Sequence, residues 1–207
     1  MSVFSKQSLL TELLDRTELI KARTQPFLRL SNEQLNHKPA PEKWSIAEVF
    51  EHLNINHNIY IGHIMARITK APDIKADSPD SKVEKFKSGW LGDWVYARTM
   101  PRPDGTVFKI KAAKFLRPVS TRLDGHDVLH RFLQHLDMLY DILLHARTKD
   151  LERIRIPLAS TRLLKLSLGD NLRLMVAHCE RHLWQAHKGM TGLPADLFDD
   201  HGAKVMQ

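Results

Sequence analysis

Residues 45–64 read SIAEVFEHLNINHNIYIGHI, a segment that combines a helix start with a helical apolar period. Ser45 and Glu48 stand three positions apart, the pattern of a capping box, in which each side chain bonds a backbone N–H group at the helix start. The apolar residues that follow lie at helical spacings and share one face: Ile46, Val49, Phe50, Leu53, Tyr60 and Ile64. The segment therefore predicts a long amphipathic helix, which we expect to end near Pro72.

Three further segments have the same period, and they occupy residues 5–30, 124–148 and 170–189. Pro26 is expected to bend or interrupt the first of them. The last is expected to begin with Asp170 as its N-cap and to end at the glycines that follow Lys188. Four amphipathic helices predict an all-α four-helix bundle, built as a single domain over residues 1–207.

The connections between these helices differ greatly in length. Residues 72–124 form a long loop between the second and third helices, and five prolines interrupt it. A strand-like piece is expected within residues 106–116. So long a connection is often functional, and we expect it to cover one end of the bundle as a lid over a site. Shorter loops are predicted for residues 31–42 and around Pro157.

The composition is that of a globular protein, with 43% hydrophobic and 27% charged residues in a chain of 207. No apolar run reaches the roughly 18 residues that a membrane helix needs. Residues 1–10 lack the apolar core of a secretory signal. The one cysteine, Cys179, cannot form an internal disulfide. We therefore expect a cytoplasmic protein without a membrane partner.

The formal net charge is +7, from 31 basic and 24 acidic residues. The basic residues are spread along the chain, which does not favour nucleic acid as a partner. The densest group comprises Lys109, Lys111, Lys114 and Arg117. This group is either a solvated loop or an attractor for an anionic small molecule.

Twelve histidines are more unusual than the charge. His178 and His182 stand four positions apart on the last predicted helix, so both rings project from one face, a common metal-binding geometry. His126 and His130 have the same spacing on the third helix, and spacing alone does not choose between the pairs. His52, on the second helix, is by itself typical of a structural histidine, but a bundle can bring it opposite His178 and His182.

Other standard catalytic motifs are absent from the sequence, including HExxH, GxGxxG, the phosphate loop and GxSxG. Glu180 follows His178 by two residues, about 200° around the helix, and so cannot be the general base of a zinc protease. Asn56 and Gln185 lie within a helical turn of candidate ligands, where they either touch substrate or face solvent. The four tryptophans either line a pocket or pack in a core or interface.

Two stretches resemble the signature motifs of the DinB-like superfamily. Residues 44–53, WSIAEVFEHL, are similar to the opening of its second helix, and residues 177–186, AHCERHLWQA, to its closing motif. Residues 111–118 and 131–133 resemble the subgroup that has a long loop before the third helix. The likeness extends over residues 5–190.

The resemblance implies a bundle with up-down-down-up topology, often assembled as a homodimer. It implies that His52, His178 and His182 are the metal ligands, in preference to His126 and His130. Members of the superfamily include transferases and isomerases that use low-molecular-weight thiols, and proteins described as metal-dependent hydrolases.

Three neutral histidines leave the full charge of a divalent ion uncompensated and at least one coordination position open, as in catalytic zinc sites. We expect one ion per chain, zinc or nickel, among the metals that imidazole suits. A metal-bound water would make the protein a hydrolase, and a metal-bound thiolate would make it an S-transferase or isomerase acting on a small molecule. The alternative is a non-catalytic metal-stabilised bundle or a ligand-binding module, and no side chain is assigned as the acid or base.

Overall fold

A computed structural model describes residues 1–74, 84–100, 108, 112–120, 122–159 and 161–194. Helices, with the 3₁₀ turns counted, make up 66% of the described residues, which confirms the mostly helical class. The α-helices of these residues are α1 (Lys6–Thr24), α2 (Asn32–Asn36), α3 (Ile46–Ile68), α4 (Trp90–Thr99), α5 (Gly125–His145) and α6 (Leu168–Thr191). Two antiparallel two-stranded sheets accompany them: β1 (Val3–Ser5) pairs with β2 (Lys85–Lys87), and β3 (Arg155–Leu158) pairs with β4 (Thr161–Ser167).

The four long helices pack on one another around a shared apolar core. Helix α3 contacts both α5 and α6, and α1 also contacts both. The ring of Phe50 lies between those of Phe27 and Phe132, at centroid distances of 5.2 and 5.0 Å. The apolar residues at helical spacings in α6 are buried throughout: Leu172, Met175, Val176, Cys179, Leu183 and Ala186. The helical period of the sequence therefore identified the core-facing sides correctly.

The start of α3 is the predicted capping box. The Ser45 N–H donates to the Glu48 carboxylate at 2.8 Å, and the Glu48 N–H donates to Ser45 Oγ at 3.2 Å. The predicted start of α6 was wrong, because the helix begins at Leu168 with Ser167 as its N-cap. Ser167 Oγ accepts from the Asp170 N–H at 3.1 Å, so Asp170 lies in the first turn. Ser167 and Asp170 themselves form an S-x-x-D capping pattern, which sets the earlier start.

Two predicted loops contain regular structure. Residues 31–42 include α2, whose start is a second capping box between Ser31 and Gln34. The segment around Pro157 is the β3–β4 hairpin, in which Pro157 is paired with Lys165. The break predicted at Pro26 is confirmed, because α1 ends at Thr24 and a 3₁₀ turn follows it.

The long connection of residues 72–124 is partly ordered into elements that the sequence did not predict. Its described part contains β2, α4 and a 3₁₀ turn at Lys114–Leu116. That turn occupies part of the expected strand-like piece, and most of residues 106–111 lie outside the described residues. The start of α4 is tied to α6, since the Asp170 carboxylate accepts from the Gly89 N–H at 3.1 Å. This bond holds α4 against the N-terminal half of α6.

Candidate metal centre and cavity

Three histidines from two helices meet where α3 packs on α6. They are His52, His178 and His182, hereafter the three-histidine group. One ring nitrogen of each residue lies within 4.8 Å of a ring nitrogen of both other residues. The ring centroids are 4.5–5.2 Å apart. His126 and His130 lie on α5 and belong to no comparable group among the described residues.

Hydrogen bonds determine which ring nitrogen of His52 and of His182 is protonated. His52 Nδ1 lies 2.6 Å from the carbonyl oxygen of Leu116, and His182 Nδ1 lies 2.9 Å from Oε1 of Gln185. A carbonyl oxygen can only accept, so each Nδ1 carries the proton and donates it. The Nε2 atoms of His52 and His182 are therefore unprotonated, so their lone pairs can bind a metal ion.

The spacing of the nitrogens fits a divalent transition metal. His52 Nε2 and His178 Nε2 are 3.4 Å apart. Two nitrogens at about 2.0–2.1 Å from a tetrahedral zinc ion lie about 3.3 Å from each other. Burial lowers the pKa of all three histidines, and for His178 and His182 neighbouring ring and guanidinium groups lower it further. The rings are thus neutral near neutral pH, the form in which histidine binds a metal.

Asn56 and Gln185 both contact members of the three-histidine group. The Asn56 side-chain amide donates to the His52 carbonyl oxygen at 2.8 Å, and its nitrogen lies 3.4 Å from His52 Nε2, the unprotonated ring nitrogen. Gln185 accepts from His182. The Trp44 ring also flanks the group, with its centroid 4.9 Å from that of His52 and 6.4 Å from that of His182. These polar side chains orient candidate ligands, and their contact with substrate stays a prediction.

The three-histidine group lines a cavity of about 780 Å³, hereafter the histidine cavity. This volume lies within the range of small-molecule sites. Leu91, Trp94 and Val95 of α4 line the same cavity, as does the segment around Leu116. The described part of residues 72–124 therefore borders the three-histidine group, in agreement with the expectation that this connection covers a site. Trp44 and Trp94 line the cavity, whereas the Trp90 side chain is 71% exposed.

His57 also lines the cavity, and the sequence did not single it out. It is 1% exposed, and its Nε2 lies 3.2 Å from the sulfur of Cys179. Burial, and to a smaller extent His135, lower the pKa of His57 to about 3. A histidine with so low a pKa is a weak proton acceptor near neutral pH. Cys179 is fully buried, and burial raises the pKa of its thiol, so it is a small core residue and not a reactive nucleophile.

Glu180, which sequence spacing had excluded as a base, is bound to another element. Its carboxylate forms an ion pair with Arg16 of α1 at 2.6 Å. The cavity lining instead includes Arg98, Arg117 and Arg181, of which the sequence had marked only Arg117. Burial lowers the pKa of Arg181. Periodicity gave no signal for the other two, because α4 and the packing of α6 bring them to the cavity.

The structure defines a class: a mostly helical protein in which two packed helices present three neutral histidines to a cavity of small-molecule size. The chain belongs to the DinB superfamily, whose family model matches residues 16–186. No curated protein matches the chain, and no solved structure does. Among the described residues, no helix combines the length and the apolar composition needed to cross a membrane.

Proposed function

We propose that this protein holds one divalent metal ion, zinc or nickel, on the Nε2 atoms of His52, His178 and His182, and that it is a metal-dependent enzyme acting on a small molecule. The observation that carries this proposal is the 3.4 Å separation of two Nε2 atoms within a group of neutral histidines that lines a cavity. Membership of the DinB superfamily supports it.

Neighbouring groups of the chain orient the candidate ligands before an ion binds. The Leu116 carbonyl accepts a hydrogen bond from His52 Nδ1, and Gln185 accepts one from His182 Nδ1. The Nε2 atom of each ring is therefore left to bind the metal. Trp44 packs beside two of the rings and limits their movement. A bound ion would supply a Lewis acid that lowers the pKa of a water or thiol.

The residues around the site favour a thiol over water as the nucleophile. Glu42 is the one carboxylate among the described residues of the cavity lining, and it is exposed. His57 is a poor base because its pKa is about 3. A thiol, with an ordinary pKa near 8.5, needs no general base once a metal lowers that pKa, whereas water usually benefits from one. We therefore propose a thiol-dependent S-transferase or isomerase first and a hydrolase second.

The test begins with the metal content of the purified protein and continues with activity before and after removal of the metal by a chelator. One assay would follow the conjugation of 1-chloro-2,4-dinitrobenzene with several low-molecular-weight thiols, and another the hydrolysis of p-nitrophenyl esters. Thiol conjugation should disappear with the ion and return when the ion is added back. The His182→Ala variant should be inactive with its helical circular dichroism retained, and His130→Ala should behave as the wild type.

Equal turnover without the ion would reject the catalytic role. If chelation then lowered the melting temperature, the alternative would hold, a metal-stabilised bundle without catalysis. Ester hydrolysis that depends on the metal, without thiol conjugation, would favour the hydrolase.

The finer architecture is part of the same proposal. The family resemblance and the packing of α3 and α1 on both α5 and α6 support a four-helix bundle with up-down-down-up topology. The resemblance also supports a homodimer. A crystal structure tests the first, and sedimentation equilibrium tests the second.

A further inference from the structure

The charged side chains of the histidine cavity are mostly cationic. Among the described residues of the lining, Lys43, Arg98, Arg117 and Arg181 carry positive charge, and Glu42 carries the negative charge. The three arginines are half-buried, whereas Lys43 and Glu42 are exposed. The inner part of the charged lining is therefore formed by guanidinium groups.

These guanidinium groups have no carboxylate partner in the part of the chain that the structure describes. Two other arginines that pack against α6 or lie on it do have such a partner: Arg16 pairs with Glu180 at 2.6 Å, and Arg173 pairs with Asp93 at 3.1 Å. A cation withdrawn from water without a counter-charge is costly. The positive charge in the cavity lining thus has no counter-charge among the described residues, and an anionic ligand would supply one.

Contacts with aromatic rings and backbone carbonyls hold these side chains in place. Arg98 stacks on Trp94 at 4.1 Å from the ring centroid. Arg181 donates to the Phe108 carbonyl, and Arg117 Nε donates to the Ala112 carbonyl at 2.9 Å. A guanidinium has five N–H donors, and the contacts with described residues use only some of them. The remaining donors are suited to the paired oxygens of a carboxylate or phosphate.

Much of the remaining lining is apolar. Leu91, Val95, Leu158, Leu174 and Met175 face the cavity together with the tryptophan rings described above. Such a surface favours an organic group over water. A ligand that satisfies both parts of the lining carries an oxyanion on an apolar body.

We propose that the histidine cavity selects small organic anions, with Arg98, Arg117 and Arg181 binding a carboxylate or phosphate group of the ligand. This inference rests on the proposed function, because it names the class of substrate for the same cavity. The electrophile or the thiol that reaches the three-histidine group would bear this anionic group.

The test compares three probes of similar shape: 1-naphthoate, 1-naphthyl phosphate and the neutral 1-naphthamide. Their dissociation constants would be measured by calorimetry on the full chain, both metal-loaded and after chelation. The anions should bind at least about tenfold more tightly than the amide, the scale of a charge-assisted hydrogen bond. The ratio of naphthoate to naphthyl phosphate affinity then identifies which oxyanion is preferred.

Substitutions separate the arginines from the metal. Arg98→Met and Arg117→Met should each remove most of the preference for anions, and Arg147→Met, on an exposed side chain outside the lining, should keep it. Arg181→Met should also reduce the preference for anions. If that variant does not fold, Arg181→Lys replaces it and should weaken the preference, because an ammonium lacks the paired donors of a guanidinium. A preference that persists in chelated protein supports the inference even if the metal proves non-catalytic.

Equal affinity for the amide and the anions would overturn the inference. So would a preference that all the arginine variants retain. A preference that disappears with the metal but survives in the arginine variants would assign anion binding to the ion, which overturns the inference and leaves the metal site standing.

Discussion

Gln185 determines which nitrogen of His182 is protonated, because its Oε1 accepts a hydrogen bond from His182 Nδ1. Loss of such an outer partner typically weakens metal binding about 10–100-fold. We expect Gln185→Leu to weaken zinc binding by that amount, measured by competition with a chelator. Gln185→Glu keeps an acceptor at the same distance and should retain most of the affinity.

Gln134 provides the matched control, since it is an exposed glutamine on α5. Gln134→Leu should leave the zinc dissociation constant unchanged. Equal affinity of Gln185→Leu and wild type would contradict the orienting role and would return Gln185 to its earlier interpretation as a substrate contact.

The choice between the two histidine pairs gives a second prediction at the scale of single residues. His178→Ala removes one of two nitrogens that are 3.4 Å apart, so most of the bound ion should be lost. His126→Ala and His130→Ala should keep a full equivalent of metal per chain. Metal analysis of the purified variants provides the measurement, and metal loss in the α5 variants alone would refute the assignment.

The sequence alone identified part of this site. Spacing showed that His178 and His182 share a helix face, but it left the pair on α5 as an equal candidate. The family resemblance added His52, and the packing of α3 on α6 brings all three rings together. His57 and Arg98 carried no local signal, because only the tertiary arrangement places them at the same cavity.

At the scale of elements, the N-terminus of α6 depends on a buried cap. Ser167 Oγ accepts from the Asp170 N–H at 3.1 Å and donates to the Asp170 carboxylate at 2.7 Å. We expect Ser167→Ala to lower the free energy of unfolding by about 1–2 kcal/mol, the usual cost of losing a serine cap. Denaturation by guanidinium provides the measurement.

Ser5→Ala is the comparison, because Ser5 caps α1 at the surface with a longer contact of 3.4 Å. Its loss should cost less, about 0.5 kcal/mol. If both variants lost the same free energy of unfolding, burial of the α6 cap would have no effect on the stability that the cap contributes.

Elements were predictable where one local pattern was sufficient. The capping box and apolar period of α3 specify its start and its buried face without help from the rest of the chain. Helix α4 lacks such a pattern, since its apolar residues are distributed around the helix and its start is held by Asp170 of α6. The β3–β4 hairpin was obscured by Pro157, which a strand in a small two-stranded sheet tolerates.

The molecule as a whole buries an unusual number of neutral histidines. Burial lowers the pKa of each of these side chains in the folded protein: His52, His57, His135, His178 and His182. In the unfolded chain the same groups have pKa values of about 6.5. Below that pH the unfolded state binds more protons than the folded state, so the stability of the metal-free protein must fall as the pH falls.

The size of this loss follows from proton linkage. Each histidine that stays neutral in the folded state should cost about 1 kcal/mol between pH 6.5 and pH 5.5, and little between about pH 7.5 and 6.5. We expect guanidinium denaturation of the metal-free protein to show that the free energy of unfolding falls by several times that amount over the lower interval.

His57→Asn should reduce this fall in the free energy of unfolding by about 1 kcal/mol, whatever its effect on absolute stability, because one buried neutral group is removed. His130→Asn, at an exposed position, should leave the pH dependence as it is. A free energy of unfolding that stays constant from pH 7.5 to pH 5.5 would show that these histidines take up protons in the folded state as readily as in the unfolded chain, which is incompatible with their burial and with the neutral ligand group on which the metal site depends.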